Sequence, residues 1–254
     1  MDTPAPAARD SGRQEVVLSV QNVGKRFGEI VALRDVNMEV EKCDVFGIAG
    51  PNGAGKTTLF NVVAGAFAGT GHVMFEGADI MGLKPHQVAH RGIARTFQVP
   101  VLFASMTVEE NVLVGAHFGG RWGKREHEVV AENLSYVGLG EKAQTAARHV
   151  DLLDKKLTML AAALATNPSL LLLDEPMGGL APAEIALFGN LIRRLNEERG
   201  MTVIVIEHLI RKLVELSNKL MILDHGIEVR VGSPREVVTD PQVIELYLGT
   251  DDYA

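Results

Sequence analysis

The chain has 254 residues, and its 46% hydrophobic content suits one large globular domain or two closely packed lobes, which excludes a disordered or fibrous protein. Its 25 Lys and Arg against 32 Asp and Glu give a formal net charge of −7, which argues against a protein that binds nucleic acid through a broad basic face. With a single cysteine, no internal disulfide and no signal-peptide pattern, we expect a cytoplasmic protein.

The first half of the chain predicts β-structure and then a strand, a loop and a helix. Residues 1–15 are rich in Pro and Ala without any period, so we interpret them as a flexible tail. Glycine and glutamate at 28–29 suit a turn between the first two strands. Strands are predicted at 16–23, 31–40, 44–50, 72–80 and 92–98, with a helix at 55–65 directly after the third strand.

The second half changes from helices to an alternation of strands and helices. Helices at 107–117, 124–138 and 155–166 predict a helical lobe over residues 99–166. Strands at 169–174, 201–208 and 219–226 alternate with helices at 181–200 and 209–217, which favours a parallel sheet covered by helices. The sequence therefore predicts an α/β fold with an inserted helical lobe, and residues 16–250 as a single domain.

A glycine-rich loop follows the third strand and has the spacing of a phosphate-binding loop. "GPNGAGKT" matches G-x-x-x-x-G-K-[ST], the P-loop pattern, between a strand and a helix. Glycines permit close backbone approach, the lysine reaches the outer phosphates, and the first threonine offers its hydroxyl to Mg²⁺. A glycine-rich turn with an incidental lysine is the alternative. The predicted nucleotide-binding residues are Gly50, Asn52, Gly53, Gly55, Lys56, Thr57 and Thr58.

Two carboxylates end the buried strand "LLLLDEP". Ligands of open α/β sheets bind at the carboxyl ends of the strands, where Asp174 and Glu175 lie. Asp174 would hold Mg²⁺ through water, and Glu175 could polarise an attacking water molecule. A strand that merely enters a turn would look the same, but the phosphate loop strengthens the functional interpretation.

These motifs resemble the ATP-binding subunits of ABC transporters from Val16 to Gly249. The resemblance implies the ABC ATPase form of the P-loop NTPase fold, with an N-terminal antiparallel β part, and ATP with Mg²⁺ as ligands. It implies that Phe27 stacks on adenine, that Gln98 contacts Mg²⁺ and the water, and that His208 is the switch histidine at the γ-phosphate. It also implies that Gly178 to Pro182 cross a dimer interface. Phe27 could equally be a core phenylalanine that closes a turn.

The stretches "GIARTFQVPVLFASMTVEENVLVGAH" and "GSPREVVTDPQVIELYLG" look like the ATPase subunits of branched-chain (hydrophobic) amino acid importers. The lipopolysaccharide-export ATPases share much of the first stretch and are the alternative. The resemblance implies transmembrane permease subunits, a second ATP-binding subunit, a periplasmic solute-binding protein and a peripheral location on the inner face of the membrane. Nucleic acid is not expected as a partner.

One segment departs from the family. Members carry Leu-Ser-Gly-Gly-Gln or a close variant there, but Asp151 occupies the serine position and Leu153 the position of the second glycine. The family motif caps the γ-phosphate bound to the opposite subunit, and an aspartate would repel that phosphate. We expect Asp151 to be the N-cap of the next helix instead. This favours a heterodimer whose partner carries an intact motif; a mainly regulatory nucleotide-binding subunit is the alternative.

Overall fold

The computed structural model describes residues 15–119 and 125–248, which form two sheets and the helices around them. Apart from Glu15, the predicted flexible tail lies outside the described residues. The strands are β1 Val16–Phe27, β2 Ile30–Glu41, β3 Val45–Ala49, β4 Thr70–Phe75, β5 Ala78–Asp79, β6 Ile93–Arg95, β7 Leu170–Asp174, β8 Thr202–Ile206, β9 Lys219–Asp224 and β10 Ile227–Gly232. The α-helices are α1 Lys56–Val63, α2 Pro85–His90, α3 Val108–Gly119, α4 Glu126–Val137, α5 Leu152–Ala165, α6 Pro182–Arg199, α7 Ile210–Leu216, α8 Pro234–Val238 and α9 Pro241–Leu248.

The N-terminal part of the chain forms an antiparallel sheet with the order β2-β1-β4-β5. Strands β1 and β2 pair across the predicted turn at 28–29. Alternate residues of β2, Val36, Met38 and Val40, are buried while their neighbours face outward, as a strand with one covered face requires. This confirms the predicted antiparallel β part.

The second sheet has the order β10-β9-β3-β8-β7-β6 and forms the parallel core. All of its pairings are parallel except that of β10 with β9. Every residue of β7 is buried, because Leu171 and Leu173 pack with the helices of one face while Leu170 and Leu172 pack with α1 and the antiparallel sheet on the other. Burial on both faces explains why this strand is a continuous apolar run.

Three long helices follow β6 and pack against one another. Helix α5 begins at Leu152, three residues before the predicted start at 155, since Asp151 caps it from the preceding position. The limits of a separate lobe at 99 and 166 stay a prediction. The short α2 and the edge strand β10 were not predicted. Among the described residues, no helix has the length and apolar content that a membrane crossing needs.

Candidate nucleotide-binding and hydrolysis site

The predicted site residues lie at the carboxyl edge of the parallel sheet. Strand β3 leads into the glycine loop, β7 ends at Asp174, and β8 leads to His208. Strand β6 pairs with β7 and leads to Gln98. Because parallel strands point the same way, their following residues meet at one edge, which is where α/β sheets bind ligands.

The glycine loop has a backbone that only glycine can adopt at two of its positions. Gly50 has φ +152°, and a Cβ there would lie 2.0 Å from the carbonyl oxygen of Leu223. Gly55 has φ +102°, and its Cβ would lie 2.6 Å from the carbonyl oxygen of Ala32. The loop therefore runs against the neighbouring backbone. It ends where α1 begins, so the free N–H groups of the first helical turn can receive an anion.

Lys56 is the first residue of α1, and its side chain is folded into the loop. Its Nζ donates to the carbonyl oxygens of Gly50 at 2.6 Å and Pro51 at 2.9 Å. Burial lowers the pKa of the Lys56 ammonium, while the charges of Glu175 and Asp174 oppose this shift. The ammonium of Lys56 therefore lies beside the loop that is predicted to bind the phosphates.

The other loop residues predicted to bind nucleotide are close to this lysine in the chain. Asn52, Gly53 and Thr57 are exposed, and Thr58 is half-buried. Phe27, at the end of β1, is 43% exposed. Its ring packs edge-on against Phe67 with 5.2 Å between the ring centroids. An exposed aromatic ring at this turn is able to stack on a base, and the stacking role of Phe27 stays a prediction.

Asp174 carries a buried oxygen that suits a metal ligand. Its Oδ2 accepts from Nη2 of Arg95 at 2.7 Å, and Nη1 of Arg95 donates to Asn61 at 2.7 Å. Its Oδ1 is buried without a hydrogen-bond partner among the described residues. The carboxylate oxygen of Asp174, the hydroxyl of Thr57 and the amide oxygen of Gln98 are hard donors of the type Mg²⁺ prefers. Once bound with ATP, Mg²⁺ would neutralise charge on the outer phosphates.

Glu175 is the point on which the other predicted catalytic groups converge. Its Oε1 lies 2.5 Å from Nε2 of His208, and its Oε2 accepts from Nε2 of Gln98 at 2.5 Å. Glu175 has φ +47°, an unusual conformation for a residue with a side chain, and is 8% exposed. A carboxylate held between two such groups can act as the general base toward a water molecule.

The altered segment at the start of α5 is closed by its own carboxylates. Oδ1 of Asp151 accepts from the backbone N–H of Asp154 at 2.8 Å, which confirms Asp151 as the N-cap. The buried Asp154 pairs with Nζ of Lys142 at 2.5 Å. The neighbouring Leu152 is 39% exposed. The Asp151 carboxylate therefore occupies a donor of the helix terminus that a phosphate of the opposite subunit would need.

The sequence interpretation missed three charged side chains near this site. Arg95, Lys156 and Glu207 are not among the residues that the sequence predicted for the site. Lys156 and Glu207 are each 2% exposed and contact the backbone that follows Asp174. The helical period offered one signal, because Lys156 lies four residues before Leu160 on the buried face of α5.

Comparison with known proteins settles the family. The chain matches the ABC transporter family over residues 33–178, more than half of its length. The chain belongs to this family. Residues 231–253 also match the branched-chain amino acid ATP-binding cassette transporter family. The fold is therefore that of an ABC ATPase, and the chain is an ABC-type ATPase.

Relatives of this cassette cover nearly the whole chain. The high-affinity branched-chain amino acid transport ATP-binding protein BraF of Pseudomonas aeruginosa is 35% identical over 92% of this chain and 98% of the relative. The corresponding protein LivG of Escherichia coli is 33% identical with the same coverage. These relatives do not favour the lipopolysaccharide-export alternative.

Solved structures of ABC cassettes match the fold. An ATP-binding cassette of an ABC transporter in its ADP conformation superposes with a TM-score of 0.83 at 33% identity, covering 93% of this chain and all of that chain. A dimeric cassette in a post-hydrolysis state with ADP and Pi superposes with a TM-score of 0.77 at 27% identity, covering 86% of this chain and 99% of that one. Cassettes of this fold thus form dimers.

Proposed function

We propose that this chain is the ATP-hydrolysing subunit of an importer of branched-chain or other hydrophobic amino acids. The observation that carries the hydrolytic assignment is the convergence of Gln98 and His208 on the two carboxylate oxygens of Glu175. The solute class rests on relatives that are branched-chain amino acid transport proteins across 92% of this chain. The match of residues 231–253 to the corresponding family supports the same class.

We infer the following roles for the site residues, which their positions support. The glycine loop and Lys56 bind the phosphates, and Phe27 stacks on adenine. Thr57, Asp174 and Gln98 would hold Mg²⁺. Glu175 accepts a proton from the attacking water, and His208 contacts the γ-phosphate. ATP would displace the present contacts of Lys56 with the loop carbonyls, because a phosphate is a stronger acceptor for an ammonium than a peptide carbonyl.

An apolar segment beside Gln98 suits the permease subunits. Phe97, Val99, Val101 and Phe103 are each at least half exposed and follow one another around Gln98. Exposed apolar side chains this close together are typical of interaction sites. A short helix of the permease seated here would link transport to ATP hydrolysis. The chain would then lie in the cytoplasm, peripheral on the inner face of the membrane, while a periplasmic binding protein delivers the solute.

The second ATPase of the transporter is a different subunit with an intact five-residue motif. Asp151 of this chain caps α5, and Asp154 adds a second carboxylate in its first turn, which disfavours the partner's γ-phosphate there. Lys56, Glu175 and His208 remain in place on the other side of the interface. A heterodimer then has one competent site, built from these three residues and the partner's motif. A mainly regulatory role for this chain is the alternative outcome.

Two substitutions in the purified transporter complex test the proposal. Lys56→Ala should abolish most ATP binding by this subunit, since it removes the ammonium beside the phosphate loop. Glu175→Gln should keep ATP binding in calorimetry but block turnover and uptake of labelled leucine into vesicles. Normal turnover of the glutamine variant would refute Glu175 as the base. If the Glu175→Gln complex no longer hydrolyses ATP but leucine uptake into the vesicles is unchanged, the solute class is refuted instead.

A further inference from the structure

Two buried charged side chains hold the backbone immediately after Asp174. Lys156, from α5, and Glu207, directly after β8, are both 2% exposed. Neither has a place in the roles given above. Because an unpaired charge is costly to bury, each requires specific partners.

Each of these side chains binds the main chain of the same short segment. Nζ of Lys156 donates to the carbonyl oxygen of Glu175 at 3.1 Å, an oxygen that also accepts from the N–H of Gly178 at 3.2 Å. Oε1 of Glu207 accepts from the N–H of Met177 at 2.6 Å. One side chain therefore fixes the carbonyl group of Glu175, and the other fixes the N–H of Met177 in the following peptide group.

The backbone segment that Lys156 and Glu207 hold contains the strained residue Glu175. Glu175 has φ +47°, a conformation that side-chain-bearing residues keep only where their surroundings impose it. The N–H of Glu175 donates to the carbonyl oxygen of Ile206 at 2.9 Å, so both peptide groups of this residue are fixed. This conformation directs the carboxylate between Gln98 and His208. Relaxation at φ would turn the carboxylate away from both.

Packing alone does not account for a lysine at this position. Most of the neighbouring buried positions of α5 are apolar or small, among them Leu157, Leu160 and Leu164. An apolar residue at 156 would satisfy such a helix face without burying an ammonium. What an apolar residue cannot supply is a donor to the carbonyl of Glu175.

We propose that Lys156 is a positioning residue for ATP hydrolysis, which orients Glu175 by holding its carbonyl group, with Glu207 holding the following peptide and balancing the charge. The inference rests on Glu175 as the general base. Lys156 belongs to the helix that starts with the altered segment, so a shift of α5 on dimer closure would be transmitted directly to the base.

The test compares variants of the purified transporter complex by kcat, KM for ATP and ATP affinity. Lys156→Met should lower kcat by about tenfold and change KM and ATP affinity by less than about twofold, because only the orientation of the base is lost. Lys156→Arg, which keeps the charge and a donor, should recover most of kcat. Lys219→Met is the matched control, since it removes an ion pair with Glu41 at the amino end of β9, on the opposite edge of the sheet.

The double variant Lys156→Met with Glu207→Gln separates positioning from charge balance. It removes both buried charges, so it should fold even where Lys156→Met alone does not. A kcat that stays low supports the proposal; a kcat restored to the wild-type value overturns it, because Lys156 would then only neutralise Glu207. A folded Lys156→Met complex with wild-type kcat also overturns it.

Glu175→Gln is measured alongside to separate this inference from the proposed function. If Glu175→Gln turns over normally, the assignment of Glu175 as base fails. If Glu175→Gln is inactive while Lys156→Met is fully active, only the present inference is refuted.

Discussion

At the scale of single residues, Glu207 makes the stability of this protein depend on pH. Burial raises the pKa of Glu207 from 4.5 to about 7, and the negative charge of Glu175 adds to the shift, whereas the N–H of Met177 and the charge of Lys156 oppose it. Between these two pKa values the folded chain keeps a proton that the unfolded chain has lost. The stability contribution is therefore complete below pH 4.5 and is lost as the pH rises to about 7.

We expect Glu207→Gln to remove this dependence. The free energy of unfolding of the wild type, minus that of the variant, should fall by up to about 1.4 kcal/mol per pH unit between pH 5 and 7 and level off above. Urea unfolding of the purified chain at several pH values measures it. Glu245→Gln, at an exposed position of α9, serves as the control. A wild-type-minus-Glu207→Gln difference that stays flat from pH 5 to 8 would contradict the prediction.

The site residues that sequence reasoning found and those it missed differ in what identifies them. Lys56 and Glu175 belong to short motifs whose spacing carries the chemistry. Lys156 stands in "DKKL", where two lysines suggest a solvated face, and only the packing of α5 buries the second one. Arg95 meets Asp174 because β6 pairs with β7, a contact between residues 79 positions apart. Such pairings are set by the tertiary fold.

At the scale of elements, the cap of α5 determines where this helix begins. The side chain of Asp151 accepts from the N–H of Asp154, one of the four donors that a helix leaves free at its start. We expect Asp151→Ala to lower the free energy of unfolding by about 1 kcal/mol, within the usual range for a lost N-cap. Asp151→Asn, which keeps an acceptor, should lower the free energy of unfolding by only a few tenths of the loss in Asp151→Ala. Equal losses in the two variants, measured by urea unfolding, would show that the charge rather than the cap stabilises the helix.

The elements of the core were predictable because burial on both faces leaves a plain signal. The four leucines of β7 form a continuous apolar run, and β3 and β8 have the same character. Strand β10 was missed since it lies at the edge of the sheet, where its residues are half-buried or exposed. Helix α2 spans only Pro85–His90 and buries one residue, Val88, so no period could identify it. Pattern reasoning finds an element most readily where burial leaves a long apolar run or a regular period.

At the scale of the whole molecule, two hydrophobic clusters share the parallel sheet. One joins the sheet to the antiparallel β part and α1, and the other joins its opposite face to the helices that follow β6. The glycine loop and Glu175 both lie at the carboxyl edge of this shared sheet. Packed elements therefore connect that edge with helix α5 and with the exposed apolar segment around Gln98. A motor that moves a permease requires such rigid connections.

The altered segment of α5 leads to a prediction about the assembled ATPase. If Asp151 and Asp154 exclude the partner's γ-phosphate, two copies of this chain contain no complete site, whereas a mixture with the second ATPase subunit contains one. We expect the chain alone to hydrolyse ATP at least about tenfold more slowly than the mixture, the effect of losing one group that stabilises the transition state. Phosphate release at saturating ATP measures the rates of the chain alone and of the mixture.

In the mixture, Glu175→Gln of this chain should abolish turnover, while the equivalent change in the partner should leave most of the turnover. A chain that hydrolyses ATP alone as fast as the mixture contradicts the heterodimer, and turnover that survives Glu175→Gln assigns this chain the regulatory role.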